Sequence, residues 1–138
     1  MDQNLIFDLI ETFMGPQKPY LSQTRRAEEF FTDEGCFISE WSNSAKDPGL
    51  SVARARVEPG VTTRWHRLRK QAERYVILSG QGRVELGGEV SQDVAEGDVI
   101  IIPAMCRQRI TNTGTEDLVF LALCSPRFRV EDYEDVDS

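Results

Sequence analysis

The feature that most constrains this chain is a succession of short segments in which apolar and polar residues alternate, separated by turns that mostly contain glycine. Alternation with a period of two predicts a strand with one face toward a core and the other toward solvent. Many short strands at regular spacing are typical of an all-β sandwich or barrel. The predicted strands are residues 27–31, 36–41, 50–57, 73–79, 82–86, 90–94, 99–102, 107–111 and 118–123.

The two ends of the chain differ from this central region. Residues 4–14 are rich in apolar side chains and are followed by Gly15-Pro16, which predicts a short N-terminal helix. Five of the last eight residues are acids, which predicts a loose tail. We therefore predict an N-terminal helix and connector arm over 1–24, a barrel over 25–130 and an acidic tail over 131–138.

Size and composition restrict the class of protein. The 138 residues suit one domain, and a hydrophobic content of 40% is sufficient for a globular core. The chain has no apolar run of membrane-spanning length and no basic, apolar signal peptide, so we predict a cytoplasmic protein without a membrane partner. Cys36, Cys106 and Cys124 are far apart and odd in number, which favours reduced thiols over disulfides or a zinc cluster.

The net and local charge of the chain restrict the classes of molecule that it can bind. A net charge of -7 disfavours nucleic-acid binding, because phosphate contacts need a basic face. Residues 54–74 nevertheless hold seven basic side chains against two acids. These basic residues either are solvated and paired with acids elsewhere, or create a local field that draws an anionic small molecule to a pocket.

Residues 60–80 contain the only histidine of the chain and a distinctive spacing. The order is Gly60, five residues, His66, one residue, Leu68, four residues, Glu73, six residues and Gly80. This stretch resembles the first motif of the cupin superfamily, which has glycine, two histidines, glutamate and glycine at such spacings. Leu68 departs from the motif, since the family has its second histidine there.

A second stretch resembles the second cupin motif. It reads Gly97, five residues, Pro103, one residue, Met105, two residues, Gln108, three residues and Asn112. The family has glycine in place of Met105 and histidine in place of Gln108. The resemblance covers residues 50–123 and implies an all-β double-stranded β-helix, the cupin jelly-roll barrel, which is often a homodimer.

The resemblance also implies which side chains meet inside the barrel. The metal ligands of the family fall on His66, Leu68, Glu73 and Gln108. Leucine cannot bind a metal and glutamine offers only an amide oxygen, so we expect at most a weakly bound divalent metal ion at His66, Glu73 and Gln108. The alternative is that these three residues form a buried hydrogen-bonded cluster.

The resemblance also implies His66 and Glu73 as the candidate catalytic residues, which act either beside a metal or as an acid–base pair without one. Position on the predicted strands adds further candidates. Arg64, which shares the parity of His66, and Tyr75, which shares the parity of Glu73, are candidate substrate-binding residues together with Gln108. Arg64 alternatively points to solvent, and Tyr75 alternatively belongs to the ordinary core.

Three functions remain open at this point. The first is a small-molecule-binding cupin with an atypical pocket at His66, Glu73 and Gln108, weakly or not dependent on metal. The second is a metal-assisted isomerase, lyase or dioxygenase that acts on a small polar or anionic substrate. The third is a sensory or structural protein that uses the barrel as a dimer scaffold. A fold alone does not decide among them.

Overall fold

The computed structural model describes residue 3, residues 15–23 and residues 28–137. The predicted helix over residues 4–14 lies outside the described residues. The described part contains these strands: β1 (Phe30–Phe31), β2 (Phe37–Ser42), β3 (Ser51–Val57), β4 (His66–Leu68), β5 (Ala72–Ser79), β6 (Gln81–Leu86), β7 (Val90–Ala95), β8 (Val99–Ile102), β9 (Gln108–Asn112), β10 (Leu118–Ser125) and β11 (Tyr133–Asp135).

Two antiparallel sheets face each other. The larger has six strands in the order β1-β2-β3-β10-β5-β8, and the smaller has five in the order β11-β4-β9-β6-β7. Neighbouring strands of one sheet are often distant in sequence, because the chain crosses repeatedly from one sheet to the other. This arrangement is a double-stranded β-helix, so the predicted all-β fold is confirmed.

The alternation along β3 illustrates how the sequence specifies the core. Ala55 and Val57 are buried between the sheets. Arg54 and Arg56 alternate with them on the outer face, where both guanidinium groups pair with the carboxylate of Glu29. The strand therefore has one buried and one outer face, as its alternation with a period of two predicts, and two of the basic residues of the stretch 54–74 are paired with an acid.

Gly80 permits the crossover from β5 to β6, that is, from the large sheet to the small one. Its φ is +90°, a conformation that side-chain-bearing residues rarely adopt. A Cβ atom at this position would also lie 2.6 Å from the carbonyl oxygen of Asp117. Both constraints require glycine at the end of the strand that carries Glu73.

The prediction of a loose acidic tail is wrong. A short 3-10 helix, Val130–Asp132, leads into β11, and β11 pairs antiparallel with β4 at the edge of the small sheet. Arg64 binds Asp135 and Arg67 binds Glu134, at N–O distances of 2.7 and 2.6 Å. The acids of the C-terminal segment thus neutralise the basic strand beside them, and this pairing between distant parts of the chain is what orders the segment.

None of the helical segments within the described residues is long and apolar enough to cross a membrane.

Candidate functional site

A cavity of about 310 Å³ lies between the two sheets. Its walls come mainly from β2, β3, β5 and β10 of the large sheet, from β4 and β11 of the small sheet, and from the turn between β1 and β2. Apolar and aromatic side chains dominate, and polar groups converge near His66. Such a mostly apolar concavity with a few placed polar groups is the usual form of a ligand site.

His66 opens β4 and is held in one orientation. Its side chain is buried, and Nδ1 lies 2.8 Å from the carbonyl oxygen of Arg64. Because a carbonyl oxygen only accepts, Nδ1 carries the proton and donates it to this bond. The ring also stacks on Tyr133 of β11, with centroids 5.3 Å apart and planes 19° from parallel. Nε2 consequently faces the cavity.

Glu34 is the main functional candidate that the sequence did not reveal. It lies in the turn between β1 and β2, where its Oε1 is 3.7 Å from Nε2 of His66. Its backbone oxygen accepts a hydrogen bond from the amide of Arg64, at 2.9 Å, which fastens the turn to the start of β4. Loss of hydration raises the pKa of the Glu34 carboxyl, and attraction to His66 opposes this only in part.

The sequence of the turn does not indicate this role of Glu34. Its residues, Thr32-Asp33-Glu34-Gly35, have the composition of an ordinary hairpin turn between two strands. An acid in a turn is usually solvated. Only the folding of the hairpin over the cavity brings this carboxyl beside the imidazole.

Glu73, Gln108 and Tyr75 form a hydrogen-bonded chain between the sheets. The Tyr75 hydroxyl donates to Oε1 of Gln108 at 2.5 Å, and Nε2 of Gln108 donates to Oε1 of Glu73 at 2.8 Å. Cys124 adds a weak contact, with Sγ 3.6 Å from Oε2 of Glu73. Burial raises the pKa of Glu73, although His66 and the Gln108 amide favour its charged form.

Only some of the predicted site residues line the cavity. His66, Glu73 and Tyr75 line the cavity, and Leu68 does so beside them. Gln108 does not line it, since this side chain is fully buried behind Glu73 and Tyr75 and holds them in place.

Arg64 also lies apart from the cavity. Its guanidinium is half exposed and bound to Asp135, so the residue contributes to the site only through its backbone amide and carbonyl oxygen.

The donor set does not fit a resident transition metal. Leu68 presents a hydrocarbon side chain where the family has its second histidine, and both ends of the Gln108 amide are already engaged by Tyr75 and Glu73. Within the described residues there is no group of three or more His, Cys, Asp or Glu side chains placed to hold a metal ion. A single imidazole with carboxylates is also a poor match for iron or zinc.

The charged groups along the cavity are almost all acidic. Within the described residues, Asp33, Glu34, Glu40 and Glu73 line it, His66 is the one basic group, and neither lysine nor arginine contributes. The basic residues of the stretch 54–74 that have ion-pair partners use them outside the cavity. This distribution speaks against the idea that the basic stretch draws an anion into the pocket.

Comparison with known proteins gives the same architecture. A family model described as "Cupin domain" matches residues 53–124. No curated protein matches the chain significantly. Solved structures with the same fold include the nucleoside dehydratase Pac13 of Streptomyces, with a TM-score of 0.73 and 22% identity over 87% of this chain and 92% of that one.

Two further structures are similar over most of this chain. KdgF from Halomonas sp. has a TM-score of 0.70 and 18% identity, covering 83% of this chain and 98% of its own. Oxalate decarboxylase from Bacillus subtilis has a TM-score of 0.71 and 21% identity, covering 86% of this chain and 33% of its own. At these identities the likeness shows the fold alone. With both the family model and the two-sheet architecture in agreement, the chain belongs to the cupin domain family.

Proposed function

We propose that this protein binds a small molecule in the cavity between its sheets, and that His66 with Glu34 and Glu73 moves protons there without a tightly held metal. The cavity volume of about 310 Å³ lies near the lower end of the range of about 300–1,000 Å³ that is usual for ligand pockets. A compact, largely apolar ligand with a polar group suits walls that are mostly apolar and carry a few polar side chains.

The orientation of His66 is the observation that carries the proposal. The bond from Nδ1 to the Arg64 carbonyl fixes the tautomer, so the neutral ring presents the lone pair of Nε2 to the cavity. A nitrogen in this state accepts a proton from a bound molecule and returns it to another atom. The stacking on Tyr133 keeps the ring from turning away.

The two carboxyl groups complement this base. Burial raises the pKa of both Glu34 and Glu73, so each retains its proton to a higher pH than an exposed glutamate. Glu73, the more deeply buried of the two, is suited to act as a general acid, whereas Glu34 lies beside His66, whose charged form favours the carboxylate. Glu34, 3.7 Å from the imidazole, is also close enough to stabilise the ring when it becomes charged.

A catalytic role in isomerisation or elimination is the second candidate function. Both reactions need a base and an acid on the substrate, which His66 and the carboxyl groups supply. Oxygenation by a dioxygenase needs an iron site with two histidines and a carboxylate, and the donor set does not match this requirement. Pac13, a nucleoside dehydratase, is one solved structure of similar fold, and dehydration is an elimination.

Ligand screening in the presence of a chelator tests the proposal. Compounds that raise the unfolding temperature should do so equally with and without EDTA. Ala122→Leu, which fills the cavity, should abolish the shift, whereas Ala95→Leu on the exposed side of β7 should leave it intact. A shift that needs added metal, or that survives in Ala122→Leu, contradicts the proposed site.

We also propose a homodimer in the cytoplasm. Val99 and Ile101 of the edge strand β8 are 54% and 64% exposed, and Leu78 on the adjacent β5 is 38% exposed. A second copy related by a two-fold axis can place its own β8 against this apolar edge, and each contact is then made twice. Such pairing removes the exposed edge, which otherwise favours aggregation.

A further inference from the structure

The polar atoms that face the cavity near His66 are mainly hydrogen-bond acceptors. The Nδ1–H of His66 is donated to Arg64, the Tyr75 hydroxyl to Gln108, and the Gln108 amide to Glu73. The remaining groups are Nε2 of His66, which has no hydrogen bond within the described part of the chain, and the carboxyl of Glu34, whose Oε1 has only a weak contact with the Cys36 thiol at 3.8 Å. The Glu73 carboxyl already accepts from Gln108 and the Cys124 thiol, and the Tyr133 hydroxyl can donate or accept. A ligand that supplies donors pairs with His66 and Glu34.

The acids around the cavity differ from those on the outer surface in their partners. Outside, the carboxylates of Glu29, Glu85, Glu134 and Asp135 all pair with arginines. The cavity acids have no arginine or lysine partner within the described residues. Glu34 lies 3.7 Å from Nε2 of His66.

Aromatic rings complete the surroundings. Five of them line the cavity: Phe30, Tyr75, Phe120, Phe128 and Tyr133. Aromatic faces attract cations and also pack well against apolar groups. A carboxylate or phosphate, in contrast, would lie near the half-buried Glu34 and the buried Glu73 without any cavity-lining arginine or lysine from the described residues to balance it.

From these observations we infer that the ligand carries a protonated nitrogen on an apolar or aromatic frame, so that it is a small amine rather than an anion. The ammonium group pairs with the Glu34 carboxylate, close to Nε2 of His66, and the frame packs on the aromatic walls. An ammonium has three donors and no acceptor, which matches a set of converging acceptors. This inference rests on the proposed small-molecule function and adds the substrate class to it.

A matched series of probes tests the charge. Benzylamine, benzyl alcohol and benzoate have the same ring and differ in the polar group. We expect benzylamine, titrated into the full-length protein at neutral pH, to shift the amide NMR signals of residues around Glu34, His66 and Tyr133. Benzyl alcohol should bind more weakly, by about tenfold, which corresponds to about 1.4 kcal/mol. Benzoate should give no saturable shift.

Two variants test whether Glu34 is the carboxylate that binds the ammonium group. Glu34→Gln keeps the size of the side chain and removes its charge. It should therefore lower the affinity for benzylamine by about tenfold and change the affinity for benzyl alcohol by less than about twofold. Glu85→Gln, which removes an acid paired with Arg109 outside the cavity, should leave the affinities for both probes unchanged. An equal loss in the two variants overturns the assignment of the ammonium to Glu34.

The outcomes separate this inference from the function on which it rests. Benzoate or benzyl alcohol binding at the cavity amides as tightly as benzylamine overturns the charge assignment and leaves a small-molecule site standing. If none of the three probes shifts these amides, both the ligand class and the proposed site are wrong.

Discussion

The imidazole of His66 and the carboxyl of Glu34 lie 3.7 Å apart, although one belongs to the small sheet and the other to a turn of the large sheet. Their separation is held by the bond from the Arg64 amide to the Glu34 backbone oxygen and by the bond from His66 to the Arg64 carbonyl. Residue 64 therefore connects both partners through its backbone. The predictions below start from this arrangement.

The first prediction contrasts His66 with Arg64. His66→Ala should lower turnover of a converted ligand by about 10²–10⁴-fold, the usual contribution of a general acid–base residue. Arg64→Ala should stay within a few-fold of the wild type, because it keeps the carbonyl that orients the ring and loses only a surface ion pair. Steady-state kinetics compare them. If Arg64→Ala is as damaged as His66→Ala, the guanidinium has a role that its pairing with Asp135 does not explain.

The second prediction concerns metal. The double variant Leu68→His with Gln108→His restores the family's histidines on strands that already place His66 and Glu73 together. It should bind one divalent metal ion per chain when titrated with Zn²⁺, since three imidazoles and a carboxylate suit this ion. Calorimetry on chelator-treated protein measures the gain. Zn²⁺ binding of equal strength in the wild type would show that His66, Glu73 and Gln108 already suffice to hold the ion.

The third prediction is a pH dependence of stability. Because the pKa of Glu73 is raised in the folded state, the folded protein holds a proton that the unfolded chain loses more readily. The stability linked to this proton is complete below the pKa of an unfolded glutamate and declines as pH rises toward the folded pKa, by at most about 1.4 kcal/mol per pH unit.

Glu73→Gln removes this dependence and keeps an oxygen for the Gln108 amide. Its free energy of unfolding should therefore gain on the wild type between acidic and mildly basic pH, as measured by urea denaturation. A difference that stays constant across this range would mean that folding does not shift the pKa of Glu73. Glu85→Gln, at an arginine-paired acid, is the matched control.

The fourth prediction concerns the C-terminal strand. Tyr133→Ala removes the ring that stacks on His66. The variant should lose about 1–3 kcal/mol of unfolding free energy, less than the loss at a fully buried aromatic residue, and should also bind the ligand more weakly. Tyr133→Phe retains the stack and should preserve both. Denaturation and binding measured on the two variants distinguish them. Equal behaviour would mean that the ring does not hold the imidazole.

The fifth prediction addresses assembly. Ile101→Lys places a charge on the exposed edge strand and should convert a dimer to a monomer in light scattering, because a like charge would face its symmetry mate. Lys is compatible with the exposed position, so the fold should persist. Arg83→Lys on β6, in the other sheet, serves as the control. A wild-type protein that is monomeric at high concentration contradicts the dimer proposal directly.

Period-two alternation and glycine turns were enough to predict most of the strands and the all-β class, because each depends on local backbone geometry and on which face of a strand is apolar. The spacing of the two motifs also brought His66, Glu73 and Gln108 to the same interior. Their detailed bonding was not predictable. Gln108 serves Tyr75 and Glu73 rather than the cavity, and this depends on how the two sheets are packed.

The sequence by itself thus determined the all-β class, since it follows from short-range patterns, and the resemblance of its two motifs to those of cupins implied the roll and placed the only histidine inside it. Tertiary structure alone decided that Glu34 faces this histidine and that the acidic C-terminal segment becomes a strand beside it. In both cases a charged residue looks solvated in its own stretch of chain. Its partner is a basic group brought close by strand pairing and hairpin closure, and such non-local pairing leaves no periodic signal in the sequence.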